Sequence, residues 1–199
     1  MSRRPAIHGL AEQSFIVPDF FWTVTMLDNR SDAYRLLRTL GAPARLIRHV
    51  ELVGEAGDAL MADLRLRGIR FDAQLVECGI AVHDVGKVLF PAELDEPGNQ
   101  HEAAGERMLL EHGVDPRVAH CCVSHAAWAG DEVTLEERLV ALADKLWKGK
   151  REETLELFVI EDIAARFGAT RWEMFVELDT LFEDIARGAA SRLEPSRIL

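Results

Sequence analysis

The chemistry-bearing stretch of this chain is Ala81-Val82-His83-Asp84-Val85-Gly86-Lys87. An imidazole and a carboxylate stand side by side at the end of an apolar segment, a pairing that suits a borderline or hard divalent metal ion. On a continuous helix Lys87 follows His83 by one turn and shares the face of the pair, where its ammonium could hold a phosphate against the metal. A lone His-Asp dipeptide is common, so further ligands must come from elsewhere. His49 lies on an amphipathic helix. Asp144 sits within Leu142-Ala143-Asp144-Lys145-Leu146, an apolar setting where an unpaired carboxylate is costly. A salt bridge to Lys148, one turn on, would account for Asp144 alone. Metal ligation would account for it together with His49, His83 and Asp84. Helical bundles build inward-facing metal sites from several helices in this way.

The elements that must position these residues are helical. Ser31 or Asp32 can cap a helix with apolar positions at Tyr34, Leu36, Leu37 and Leu40, stopped by Gly41. Pro43 suits the first turn of the next helix, whose apolar residues from Leu46 to Leu60 recur every three or four positions. Asp72 caps an apolar helix predicted from Ala73 to about Val85. A loop over Phe90–Asn99 precedes helices opened by His101 and by Asp115-Pro116. Its acids, Glu93 among them, are minor candidates for a proton relay. Thr134-Leu135-Glu136-Glu137 and Thr170-Arg171-Trp172-Glu173 read as capping boxes. Between them runs a helix from near Glu152 to Gly168. The second box opens one to about Ala189. No period-2 run calls for a sheet. The expected fold is all-α and a single domain over 1–199: a core at about 31–151, an N-terminal arm at 1–30 and a helical extension at 152–199. The arm's clusters, Phe15-Ile16-Val17 and Phe20-Phe21-Trp22, are expected to pack on the body.

Hydrophobic residues make up 48% of the 199 and charged residues 29%, with a formal net charge of -11. That charge would repel nucleic acid and anionic membranes, so neither a broad nucleic-acid surface nor a membrane partner is expected. A small phosphorylated ligand remains open, because a few clustered cations dominate locally. Three cysteines, two of them adjacent, make no disulfide framework. With no leader-like apolar run, the reading is cytoplasmic.

Five blocks in order resemble the HD-domain metal-dependent phosphohydrolases, HDIG type. They are Arg48-His49, His83-Asp84-Val85-Gly86-Lys87, the His101 to Leu109 segment with Gly105, Ser124-His125, and Ala141 to Lys145. The resemblance spans about residues 44–151 and implies an HD-domain helical bundle with added C-terminal helices. It implies that His49, His83, Asp84 and Asp144 bind one divalent ion, with Mn, Fe, Mg, Co, Ni and Zn undistinguished. Asp84 and Lys87 are then the catalytic candidates. It also marks His101 and His125 for a second ion or for substrate, giving one or two ions in all. His120 is off that helical face, and His8 and His112 read as surface residues. Lys87, Lys145 and Lys148 are the phosphate-binding candidates, within a basic cluster that continues to Lys150 and Arg151. Trp128 and Trp147 are candidates to stack a base.

The activity this implies is hydrolysis of a phosphoester or phosphoanhydride of a small molecule, a nucleotide in chemical class, by metal-activated water. Two alternatives stand beside it. One is a cyclic-dinucleotide phosphodiesterase of HD-GYP type, although the Gly-Tyr-Pro segment is missing and the only tyrosine is Tyr34. The other is a non-catalytic nucleotide-binding HD module. A homo-oligomer is compatible with either.

Overall fold

The computed structural model describes residues 25–193. They form nine α-helices and two short 3-10 segments, with no strand among them. The helices are α1 (Arg30–Thr39), α2 (Ala44–Leu66), α3 (Ala73–Val82), α4 (Gln100–Glu111), α5 (Pro116–Ser124), α6 (Leu135–Leu146), α7 (Glu153–Phe167), α8 (Arg171–Arg187) and α9 (Ala189–Leu193). The 3-10 segments, Val85–Val88 and Pro91–Leu94, lie between α3 and α4. No helix among the described residues is long and apolar enough to cross a membrane. The aromatic clusters before residue 25, and His8, lie outside the described residues.

The centre of the bundle is α2, α3 and α6, each packed on the other two. Leu46, Val50, Val53 and Leu60 from α2 are fully buried, as are Val76 and Ile80 from α3 and Leu139 and Leu142 from α6. Glycines bring the axes together: a Cβ on Gly57 would lie 2.3 Å from Ile80 Cδ1, and one on Gly79 2.7 Å from Cys121 Sγ. Around this centre, α4 packs on α5 and on Val85–Val88, while α7 and α8 pack on each other.

Local signals set most helix ends. Both capping boxes form: the Thr134 and Thr170 hydroxyls accept from the N–H of Glu137 and Glu173, whose carboxylates bond back to the cap N–H. Such caps are each worth about 1 kcal/mol. Asp72 caps α3 by accepting from Leu75 N–H. Three expectations need correction. The cap of α1 is Asn29, whose side-chain oxygen accepts from the N–H of both Ser31 and Asp32, so those two residues lie inside the first turn. Gly188 interrupts the last long helix after Arg187, and α9 follows as a separate turn and a half.

The third correction matters most for the site. Helix α3 ends at Val82, three residues before the expected boundary. His83 is its C-cap, Asp84 takes a non-helical conformation (φ -103°, ψ 10°), and Val85–Val88 tightens to 3-10. The cause is tertiary. A Cβ on Gly86 would lie 1.9 Å from the His101 carbonyl oxygen and 2.7 Å from Gly105 N. The chain here runs directly against the backbone of α4, which only glycine allows.

Candidate metal centre

Five helices and one link deliver the polar side chains. His49 comes from the second turn of α2, His83 from the end of α3, Asp84 from the link after it, His101 from the first turn of α4, His125 from the C-cap of α5 and Asp144 from the last turn of α6. His83, Asp84, His101, His125 and Asp144 are all buried, and His49 is half-buried. All six candidate ligands therefore converge, although they span nearly one hundred residues of chain.

Asp84 is the hub. Its Oδ2 lies 3.0 Å from His49 Nε2 and 3.7 Å from His83 Nε2. Its Oδ1 lies 3.1 Å from His101 Nε2 and 3.8 Å from His125 Nε2. Asp144 Oδ1 stands 3.7 Å from His49 Nε2 and 3.9 Å from His83 Nε2. Among the described residues two groups have donor atoms within 4.8 Å of one another: His49, His83 and Asp144, and His83, Asp84 and His125.

The ring orientations show what this cluster suits. His83 Nδ1 donates to the Ile80 carbonyl at 2.8 Å, and His125 Nδ1 donates to the Cys121 carbonyl at 3.2 Å. His101 Nδ1 lies 2.5 Å from a Glu93 carboxylate oxygen. In the His83 and His125 rings the proton-bearing nitrogen faces outward, and in all three rings Nε2 faces the centre. His83 and His49 set their Nε2 atoms 3.4 Å apart, facing one space. Among the described residues His101 Nε2 is buried without a well-aligned hydrogen-bond partner, and it stands 3.1 Å from Asp84 Oδ1. Inward nitrogen lone pairs, two carboxylates and an orphaned ring nitrogen fit a bound cation.

Protonation agrees. Burial lowers the His83 pKa to about 3, against the pull of Asp84, and burial lowers that of His125 too. Both rings are neutral at physiological pH, as ligation requires. Burial disfavours ionisation of Asp84 and Asp144, but their neighbours outweigh it. His83, His101 and His49 hold the Asp84 carboxyl well below its usual range. His83, Lys145 and Lys148 do the same for Asp144. His101 is the exception: burial lowers its pKa, yet Asp84 and Glu93 raise it overall.

A cavity of about 740 Å³ opens beside the cluster, lined by His49, Asp84, Arg45, Arg48, Lys87 and Trp147, with Leu52 and Leu94 as apolar wall. Lys87 Nζ pairs with Asp84 Oδ2 at 2.6 Å. The 3-10 turn, rather than a continued helix, sets this i, i+3 contact. Lys145 and Lys148 turn to Asp144 Oδ2, at 2.9 and 3.4 Å. Neither lines the cavity. The rest of the basic cluster is committed to structure: Arg151 bonds Glu156 through two nitrogens at 2.7 Å and Asp179 at 2.5 Å, and Lys150 pairs with Glu152. Trp147 sets its ring edge against His49 with centroids 5.2 Å apart. Trp128 packs on Phe158 instead. His112 and His120 are exposed, the latter bonded to Glu106.

Two further cations line this cavity. Arg45 and Arg48 stand at i and i+3 on α2 with His49 at i+4, so all three share a face. That spacing was a usable signal. Glu93 had only a minor candidacy, and its partner is set by the fold of the loop.

The chain belongs to the HD domain family, whose model matches residues 46–147. That superfamily consists mostly of metal-dependent hydrolases, and the match begins three residues before His49 and ends three after Asp144. No curated protein and no solved structure matches the chain.

Proposed function

We propose that this protein is a metal-dependent phosphohydrolase that cleaves a phosphoester or phosphoanhydride of a small molecule, a nucleotide by class. The observation that carries the reading is one wall shared by two features. His49 and Asp84 belong both to the donor cluster and to a cavity that carries Arg45, Arg48 and Lys87. In a chain of net charge -11, three cations on one cavity select an anionic ligand.

In this reading His49, His83, Asp84 and Asp144 would hold a divalent ion, and His101 and His125 would be available for a second one. A divalent ion there supplies water activation and offsets charge developing on phosphorus. Asp84 accepts a hydrogen bond from the attacking water and keeps it aligned. Lys87, already at Asp84, contacts the phosphoryl oxygens, and Arg45 and Arg48 hold phosphate farther from the cluster. Lys145 and Lys148 act through Asp144, holding its carboxylate ionised. Trp147 and Leu52 give a base or other planar group an apolar surface.

The test is a panel of nucleoside mono-, di- and triphosphates and dinucleoside polyphosphates, assayed with Mn²⁺, Mg²⁺, Co²⁺ and Zn²⁺. Phosphate release that needs metal and disappears in Asp84→Asn is expected. Tight nucleotide binding with no turnover on any substrate–metal pair would defeat the enzymatic reading.

A further inference from the structure

Glu93 does more in this fold than line a loop. It lies in the 3-10 segment Pro91–Leu94, eight residues before His101, and its side chain is buried. One carboxylate oxygen accepts from Gln100 N–H at 3.1 Å. The other lies 3.3 Å from His101 N and 2.5 Å from His101 Nδ1. The loop makes room for it through Gly98, where a Cβ would lie 2.4 Å from the Glu93 carboxyl carbon. Across the same ring, His101 Nε2 is buried, has no well-aligned hydrogen-bond partner among the described residues and stands 3.1 Å from Asp84 Oδ1.

We propose that Glu93 is the positioning residue of the His101 side of the centre: by taking the Nδ1 proton bond it fixes the ring's orientation and tautomer, so that the Nε2 lone pair faces Asp84. Both nitrogens of a neutral imidazole cannot carry a proton, so a carboxylate acceptor at Nδ1 leaves Nε2 bare. His83 and His125 obtain the same polarity from backbone carbonyls of their own helices. His101 opens its helix, where backbone N–H groups, not carbonyls, are unpaired, so the acceptor must be brought in from outside. Glu93 satisfies those N–H groups and the ring together. It also ties His101 to the cavity wall, because the next residue, Leu94, lines that wall.

The test uses ring-nitrogen NMR of the full chain, metal-free at mildly alkaline pH, followed by titration with Zn²⁺. In wild type, His101 is expected to show Nδ1–H and a bare Nε2, and its ring signal to shift as Zn²⁺ is added. Glu93→Ala is expected to move the ring toward the Nε2–H form and to raise the Zn²⁺ concentration needed at His101 by about 10–100-fold, the usual cost of losing a partner to a metal-binding histidine. His83 should keep its wild-type tautomer. Glu93→Gln preserves shape but turns an amide N–H₂ toward donors, so it should fall between the two, and it carries the test if the alanine variant does not fold. Glu96→Ala, an exposed change in the same loop, should match wild type. An unchanged His101 tautomer and Zn²⁺ response in the folded Glu93 variants would overturn the proposal, as would an Nε2–H tautomer in wild type.

Discussion

The candidate metal centre has two halves built on different principles. His49, His83 and Asp144 come from α2, α3 and α6, the three helices that form the apolar heart of the bundle. His101 and Glu93 come from the first turn of α4 and the 3-10 segment before it, pressed against Asp84 by the contact at Gly86. The first half is held by side-chain packing over many residues. The second is held by one close backbone crossing and one carboxylate. Precision can thus come either from a large core or from a few short contacts, and the second kind should fail more abruptly when a single atom is added.

Four experiments sharpen or break this contrast. The largest effect is expected at Asp84, which serves both halves. Asp84→Ala should abolish metal uptake, measured by elemental analysis, together with any hydrolysis. Retained binding of either ion would show that the halves do not share it. Next is Gly86→Ala. The added Cβ has backbone, not a flexible side chain, in its way, so denaturant unfolding should show a loss of about 1–3 kcal/mol or more. His101 should be displaced while the His83 environment persists. If the two histidines respond equally, the halves are one cooperative unit.

The pH dependence separates the halves by sign. Unfolded His83 takes a proton near pH 6.5, but the folded ring does so only near 3. Between these values the unfolded state binds more protons, so stability of the metal-free protein should rise with pH. His125 acts in the same direction, and the depressed carboxyls of Asp84 and Asp144 add to the acid loss below about pH 4. His101 is raised, so its contribution is full below its unfolded pKa and is lost as pH climbs through the folded one. Urea midpoints should therefore rise steeply from acid, then sag slightly once pH climbs past the unfolded value of His101, and Glu93→Ala should remove much of the sag. The smallest effect is expected at His120→Ala, which removes an exposed pairing with Glu106. Stability should change by no more than about 0.5 kcal/mol, and metal binding not at all.

The half built on packing was the more legible one in the sequence. Apolar spacing placed His49 and Asp144 on buried helices, and Thr134 and Thr170 announced their helices by chemistry complete within four residues. Family resemblance added His101 and His125. Two of the features that differ from expectation have partners far along the chain. The end of α3 is set by Gly86 meeting His101, fifteen residues on. The apparent basic patch dissolves because Arg151 answers to Asp179, 28 residues away. Asn29 was passed over because Ser31 and Asp32 are equally good caps by type, and only the turn geometry decides among them. Glu93 was visible as an acid, but its bond to His101 depends on how the loop closes over Gly98.

The two oxygens of Asp84 have an evolutionary reading. Because one carboxylate faces both halves, no substitution at Asp84 can retire one of them and spare the other. A descendant that gave up the His101 side would have to change Glu93, His101 or the glycine at 86, and could do so while the α2–α3–α6 side kept working. Change at this centre has a cheap direction and a forbidden one, and the position of a single aspartate sets which is which.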